Sequence, residues 1–185
     1  MKGFTLIEAM IAVTILTLSV AGPLFTANRA ILAAETARDQ LTASYLAQEA
    51  IEYVRMMRDD AFLNAFRNND PSASVNSWND FVGGTSAWSI TSCVATQCTL
   101  DPTLPMGHTS GYSLAAYSGN APMYLLGNGV YSQQNLPGSS VQPFTRTIQA
   151  VTISANDERI ISTVSWSYHG TPYAVTIYDH LSPWQ

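Results

Sequence analysis

Few side chains in this 185-residue chain could do chemistry, and most of them are scattered. Glu8 is the exception in position, because it stands at the edge of an apolar run in which Ala9 through Asn28 carry no charge. A carboxylate entering hydrocarbon costs several kcal/mol unless it finds a partner, so an ionisable residue there marks a functional position. The plainer alternative is an interfacial Glu snorkelling to the headgroups. Cys93 and Cys98 form a nearby pair in an otherwise cysteine-free polar region. Such a pair suits a small disulfide loop in an oxidising compartment, with two free thiols as the alternative. A zinc site needs more ligands, and His108, His169 and His180 show no ligand spacing, so no metal is expected. Asp101, Asp157 and Asp179 could join a calcium site, although acidic residues in turns usually solvate and cap. No nucleophile elbow, phosphate loop or H-E-x-x-H motif is present, so neither catalysis nor a cofactor is expected.

The net charge of -5 and the single lysine, Lys2, argue against a nucleic-acid partner, since phosphate binding needs clustered Lys and Arg. Twenty helical residues from Ala9 to Asn28 span about 30 Å, the thickness of a bilayer core. Gly22-Pro23 lies inside that span, where proline removes one backbone hydrogen bond, and a kink or local melting is expected. Lys2 favours a cytoplasmic N-terminus, while Arg29 and Arg38 on the other flank blur the charge signal.

From Arg29 to about Arg67 there is no Pro or Gly, and good helix formers dominate. Ala43, Leu46, Ala47, Ala50, Val54, Met57 and Ala61 form one narrow apolar stripe, predicted to pack on a sheet. Glu49, Glu52, Arg55 and Asp59 are placed on the opposite side. Asn68-Asn69-Asp70-Pro71 ends the helix. Beyond it, short strands are expected at Ala87 to Ser92 and Met123 to Leu126, and a long loop from Ser132 to Pro143. The runs Phe144 to Ser154, Arg159 to Tyr168 and Pro172 to Tyr178 predict an antiparallel meander covering the stripe. The fold class is therefore α+β. Trp78, Phe81, Trp88, Tyr112, Tyr117, Tyr124 and Tyr131 fall in the irregular region and serve either the core or a surface for another subunit, a sugar or a host ligand.

Three readings of the N-terminus compete: a secretory signal peptide cut after Ser19-Val20-Ala21, a plain signal anchor, and a third set by the residues before the apolar run. Gly3-Phe4-Thr5-Leu6-Ile7-Glu8 resembles the recognition site of the type IV prepilin family, which includes type II secretion and competence pseudopilins. The resemblance implies that a membrane aspartyl peptidase cuts between Gly3 and Phe4 and methylates the new N-terminus at Phe4. Glu8 then matches the family's acidic residue, five places into the mature chain, pairing with the α-ammonium of a neighbouring Phe4 and fixing register.

The implied organisation is a leader over residues 1–3, a transmembrane and assembly helix over 4–28, its amphipathic continuation over 29–67, and a globular domain over 68–185. A continuous helix from Phe4 to Arg67 would be roughly 95 Å long. Leu46 to Arg55 resembles the helix of minor, I-type pseudopilins and pilus-modification minor pilins. The implied function is a structural filament subunit of a type IV pilus or type II secretion pseudopilus. Its partners would be other pilin subunits, the prepilin peptidase, the inner-membrane assembly platform and, before assembly, the lipid bilayer. The resemblance thus implies a single-pass inner-membrane protein with its C-terminal domain outside the cytoplasm, later moved into the filament. A filament-tip adhesin and a signal-anchored domain that forms no filament are the alternatives.

Overall fold

The computed structural model describes residues 3, 5–107 and 111–183, so Lys2, Phe4 and His108 lie outside the described residues. One helix, α1 (Leu6–Arg67), runs through two compact units, Met1–Leu41 and Thr42–Gln185.

In the first unit α1 continues as helix through Gly22 and Pro23, so the expected local melting does not occur. Proline costs the ladder one donor, and the hydroxyl of Thr26 adds a bond to the Pro23 carbonyl at 2.9 Å. Thr14, Thr17 and Ser19 likewise donate to the carbonyls of Ile11, Thr14 and Leu16 at 2.8–2.9 Å. Their hydroxyls are thereby satisfied inside the helix, which removes most of the penalty for placing them in hydrocarbon.

In the second unit α1 ends in a Schellman motif. Asn69 takes a left-handed φ of 57°, Asp70 N–H donates to the Ala65 carbonyl at 3.1 Å, and Asn69 N–H donates to Phe66 at 3.0 Å. The Asp70 carboxylate then accepts from Ser72 N–H and the Asn76 amide, both at 2.8 Å, and starts α2 (Ala73–Gly83). Its buried Ala73, Ser77, Trp78 and Phe81 recur at helical spacing, a stripe hidden among Ser and Asn.

Residues Ala87 to Ser92 form no strand. The chain folds back on α2 instead, where Ile90 N–H and the Ser89 hydroxyl both donate to the Phe81 carbonyl. Gly84 permits this return, because a Cβ there would lie 2.0 Å from the Asp80 carboxylate. A short 3-10 turn (Thr91–Cys93) leads to the Cys93–Cys98 disulfide.

Among the described residues, seven strands form one antiparallel sheet: β1 (Cys98–Leu100), β2 (Leu114–Ala116), β3 (Pro122–Leu125), β4 (Tyr131–Ser132), β5 (Ser140–Ser154), β6 (Asp157–Tyr168) and β7 (Thr171–Leu181). The meander β5–β6–β7 matches the three predicted runs, but β5 begins at Ser140, inside the stretch expected to be a loop, and β4 claims Ser132. His169 and Gly170, both at positive φ, make the two-residue turn between β6 and β7.

The opposite edge of β5 is shared. β1 pairs at Ile148 and β3 pairs from Ser140 to Thr145, so two small hairpins dock end to end along one strand. The helix stripe packs on this sheet in two clusters. Ala50, Ile51, Val54, Met57 and Ala61 meet Trp78, Phe81, Leu100, Ile148 and Ile160, while Ala43, Leu46 and Ala47 meet Met123, Phe144, Val164 and Trp166. Trp78 and Phe81 therefore belong to the core, not to a surface.

Phe81→Ala should cost about 3–5 kcal/mol in urea unfolding of the detergent-solubilised full chain, because its ring is fully buried at the centre of the larger cluster. The exposed Val75→Ala on the same helix should cost under about 0.5 kcal/mol.

Candidate functional site

The candidate assembly site is the start of α1. Gly3 is exposed ahead of the helix, and the carbonyl of Thr5 accepts from Glu8 N–H at 3.1 Å and Ala9 N–H at 3.2 Å, closing the first turn. Glu8 sits in that turn, where the positive end of the helix dipole favours a carboxylate. Its side chain is exposed and has no hydrogen-bond or ionic partner among the described residues. Phe4, the expected new N-terminus, lies outside the described residues.

Behind Glu8 the helix surface is apolar on all sides. Leu6, Ile7, Met10, Ile11, Val13, Ile15 and Leu16 are each more than half exposed. An 18-residue window of α1 has a mean hydropathy of 1.9 with none of it buried, making α1 long and apolar enough to cross a membrane. Arg29, whose guanidinium lies 5.1 Å from the Phe25 ring centroid, marks where the apolar stretch stops.

The other sequence-nominated residues disperse. Asp157 binds His180 at 2.8 Å, Asp179 binds Arg55 at 2.8 Å, and Asp101 is buried among protein donors, so the three carboxylates build no common site. Among the described residues no group of three His, Cys, Asp or Glu could hold a metal ion.

What the sequence reading missed is a buried cation. Arg146 projects from the middle of β5, fully buried, and donates to the Leu46 carbonyl at 3.1 Å, the Leu100 carbonyl at 2.7 Å and the Glu49 carboxylate. Glu49 thus faces the domain, contrary to its expected place on the far side of α1. The alternation of Phe144, Arg146, Ile148 and Ala150 on one buried face of β5 was the available signal. Burial lowers the Arg146 pKa and Glu49 opposes it; the guanidinium stays charged because its ordinary value is so high. Beside it Asp101 accepts from Thr103 N–H at 3.0 Å, the Thr103 hydroxyl at 2.7 Å, the Ser132 hydroxyl at 2.7 Å and Gln133 N–H at 2.8 Å. This polar network ties α1, β1, β4 and β5 together at the place where the two small hairpins meet.

Glu158, on β6, is also buried, and neither of its carboxylate oxygens meets a donor at hydrogen-bonding geometry. Burial raises its pKa above the ordinary carboxylate value, with neighbouring Asp157 adding to the effect and Thr152 working against it.

Residues 1–22 match the family model described as the prokaryotic N-terminal methylation motif. No curated protein and no solved structure matches the chain.

Arg146→Met should lower unfolding stability by about 3 kcal/mol, since it removes two buried hydrogen bonds to backbone carbonyls and leaves Glu49 unpaired. Glu49→Gln, at a half-exposed position, should cost only about 1 kcal/mol. Equal small losses in urea titrations of both variants would remove the network's structural role. Glu158→Gln should raise the Tm at neutral pH. The wild-type carboxyl, with its folded pKa raised, favours folding below its unfolded pKa and loses that contribution as pH rises through the folded value. The advantage of the Gln variant should therefore shrink on acidification; a constant advantage across the titration would contradict it.

Proposed function

We propose that this type IV pilin-like precursor is a minor subunit of a type IV pilus or type II secretion pseudopilus, processed by prepilin peptidase and assembled through α1. The observation that carries the reading is the match of residues 1–22 to the methylation motif, placed at the head of an uncovered apolar helix. Cleavage between Gly3 and Phe4 would free an amino group four residues before Glu8. The α-ammonium of one subunit would then neutralise the Glu8 carboxylate of the next. In a low-dielectric bundle an unpaired carboxylate is costly enough to reject any other register.

Before assembly the apolar part of α1 rests in the inner membrane, with the domain from Thr42 onward outside the cytoplasm. During assembly it exchanges lipid contacts for helix–helix contacts, so the exposed side chains stay covered throughout. Gly22 and Pro23, where one helical hydrogen bond is missing, supply the weakest point for bending as the helix enters the bundle. The Leu46 to Arg55 segment supports the minor-subunit assignment by its resemblance to I-type pseudopilins.

Glu8→Ala subunits, coexpressed with their assembly machinery, should reach the sheared filament fraction at least about tenfold less than wild type while still accumulating in the membrane. Glu8→Asp should recover part of the loss. Incorporation of the Ala variant at the wild-type level would overturn the assembly role of Glu8.

A further inference from the structure

We propose that the cleft between the β1–β2 and β3–β4 hairpins binds a neutral carbohydrate, with Tyr112 and Tyr124 as ring platforms and Asn120, Asn135 and Gln134 reading hydroxyl groups. The cleft holds about 460 Å³ and lies within the second unit. It exists because β5 is longer than either hairpin docked on its edge. Between Thr145, paired to β3, and Ile148, paired to β1, the edge of β5 has no strand partner. The backbone there is satisfied by a side chain: the Arg146 carbonyl accepts from Gln133 Nε2 at 3.4 Å. The split in the sheet is thus closed off at its floor and left open above.

The chemistry of the lining selects the ligand. Among the described residues no Lys or Arg lines the cleft, and its one carboxylate, Asp101, is saturated by four protein donors and almost fully buried. Neither an anion nor a cation finds a counter-charge among these residues. The amides of Asn120 and Asn135 have no hydrogen-bond partner among the described residues, so their donors and acceptors are free for a ligand. Paired donor and acceptor groups beside aromatic faces match a sugar, which presents hydroxyls around its rim and C–H groups on its faces.

Tyr112 is held for this use. Its ring rests on Gly107, where an added Cβ would fall 2.4 Å from the ring, and 45% of the residue remains exposed. The site needs no filament, so its failure and the failure of the assembly reading are separate results.

The test is saturation-transfer NMR on the full chain in a zwitterionic detergent without a sugar headgroup. Neutral di- and trisaccharides of glucose, galactose and N-acetylglucosamine are presented at millimolar concentration, beside uronic acids and a short uncharged peptide. Transfer to the ring protons of at least one neutral sugar is expected. Its affinity should fall about tenfold in Tyr124→Ala and in Asn135→Ala, and stay unchanged in Tyr45→Ala, an exposed tyrosine outside the cleft. Tyr124→Phe, which keeps the ring, should bind more tightly than Tyr124→Ala and stands in if the Ala variant fails to fold. No transfer to any neutral sugar, equal transfer to the cleft variants, or stronger binding of the acidic sugars or the peptide would each overturn the assignment.

Discussion

The rest of the structure depends on an apolar helical stretch that nothing among the described residues covers. Burying a single Leu or Ile side chain is worth about 1.5–3 kcal/mol, and the exposed Leu6, Ile7, Ile11, Ile15, Leu16 and Leu18 alone approach the whole stability of an ordinary domain. Such a helix needs shelter from water, and on the proposed reading lipid supplies it first and neighbouring helices afterwards. The back-bonded hydroxyls of Thr14, Thr17 and Ser19 fit both environments, because they make no demand on either. Glu8 is the charged side chain at the head of that stretch, and the proposed function rests the choice of partner on it.

The second unit solves a different problem, which is to hold a sheet against the polar-flanked half of the same helix. An Ala-rich stripe lets the sheet approach closely, and large side chains on the strands fill the space: Phe144 and Trp166 lie 5.9 Å apart, and Trp166 stacks on Tyr173 at 5.6 Å. A charged network sits where the two hairpins meet on β5. Arg146 spans from β5 to the α1 carbonyl of Leu46 and the β1 carbonyl of Leu100, so its desolvation is offset by three acceptors. The same junction leaves the cleft open, so the Arg146 network and the cleft meet where the two hairpins dock on β5.

Much of this was legible in the sequence. The helix stripe from Ala43 to Ala61 and the three runs of the meander follow from periodicities of 3.6 and 2, and the structure buries or pairs them as expected. The motif at Gly3 to Glu8 was legible because it combines several rare features in six residues. The irregular middle was not. The α2 stripe is diluted by Ser and Asn, whose weak helix propensity masks its spacing, and β1, β2 and β4 are too short to show alternation. Glu49 was misplaced because a helical wheel shows which side is polar, not which polar residue meets a buried partner. Arg146 supplied that partner from a strand 97 residues away in sequence.

The most direct measurement of the central claim is the intact mass of the mature chain purified from cells that carry a prepilin peptidase. A chain beginning at an N-methylated Phe4 is the expected result and would place the protein on the pilin pathway. A chain beginning at Gly22, or one that keeps Met1, would contradict the account and leave an ordinary exported or anchored domain.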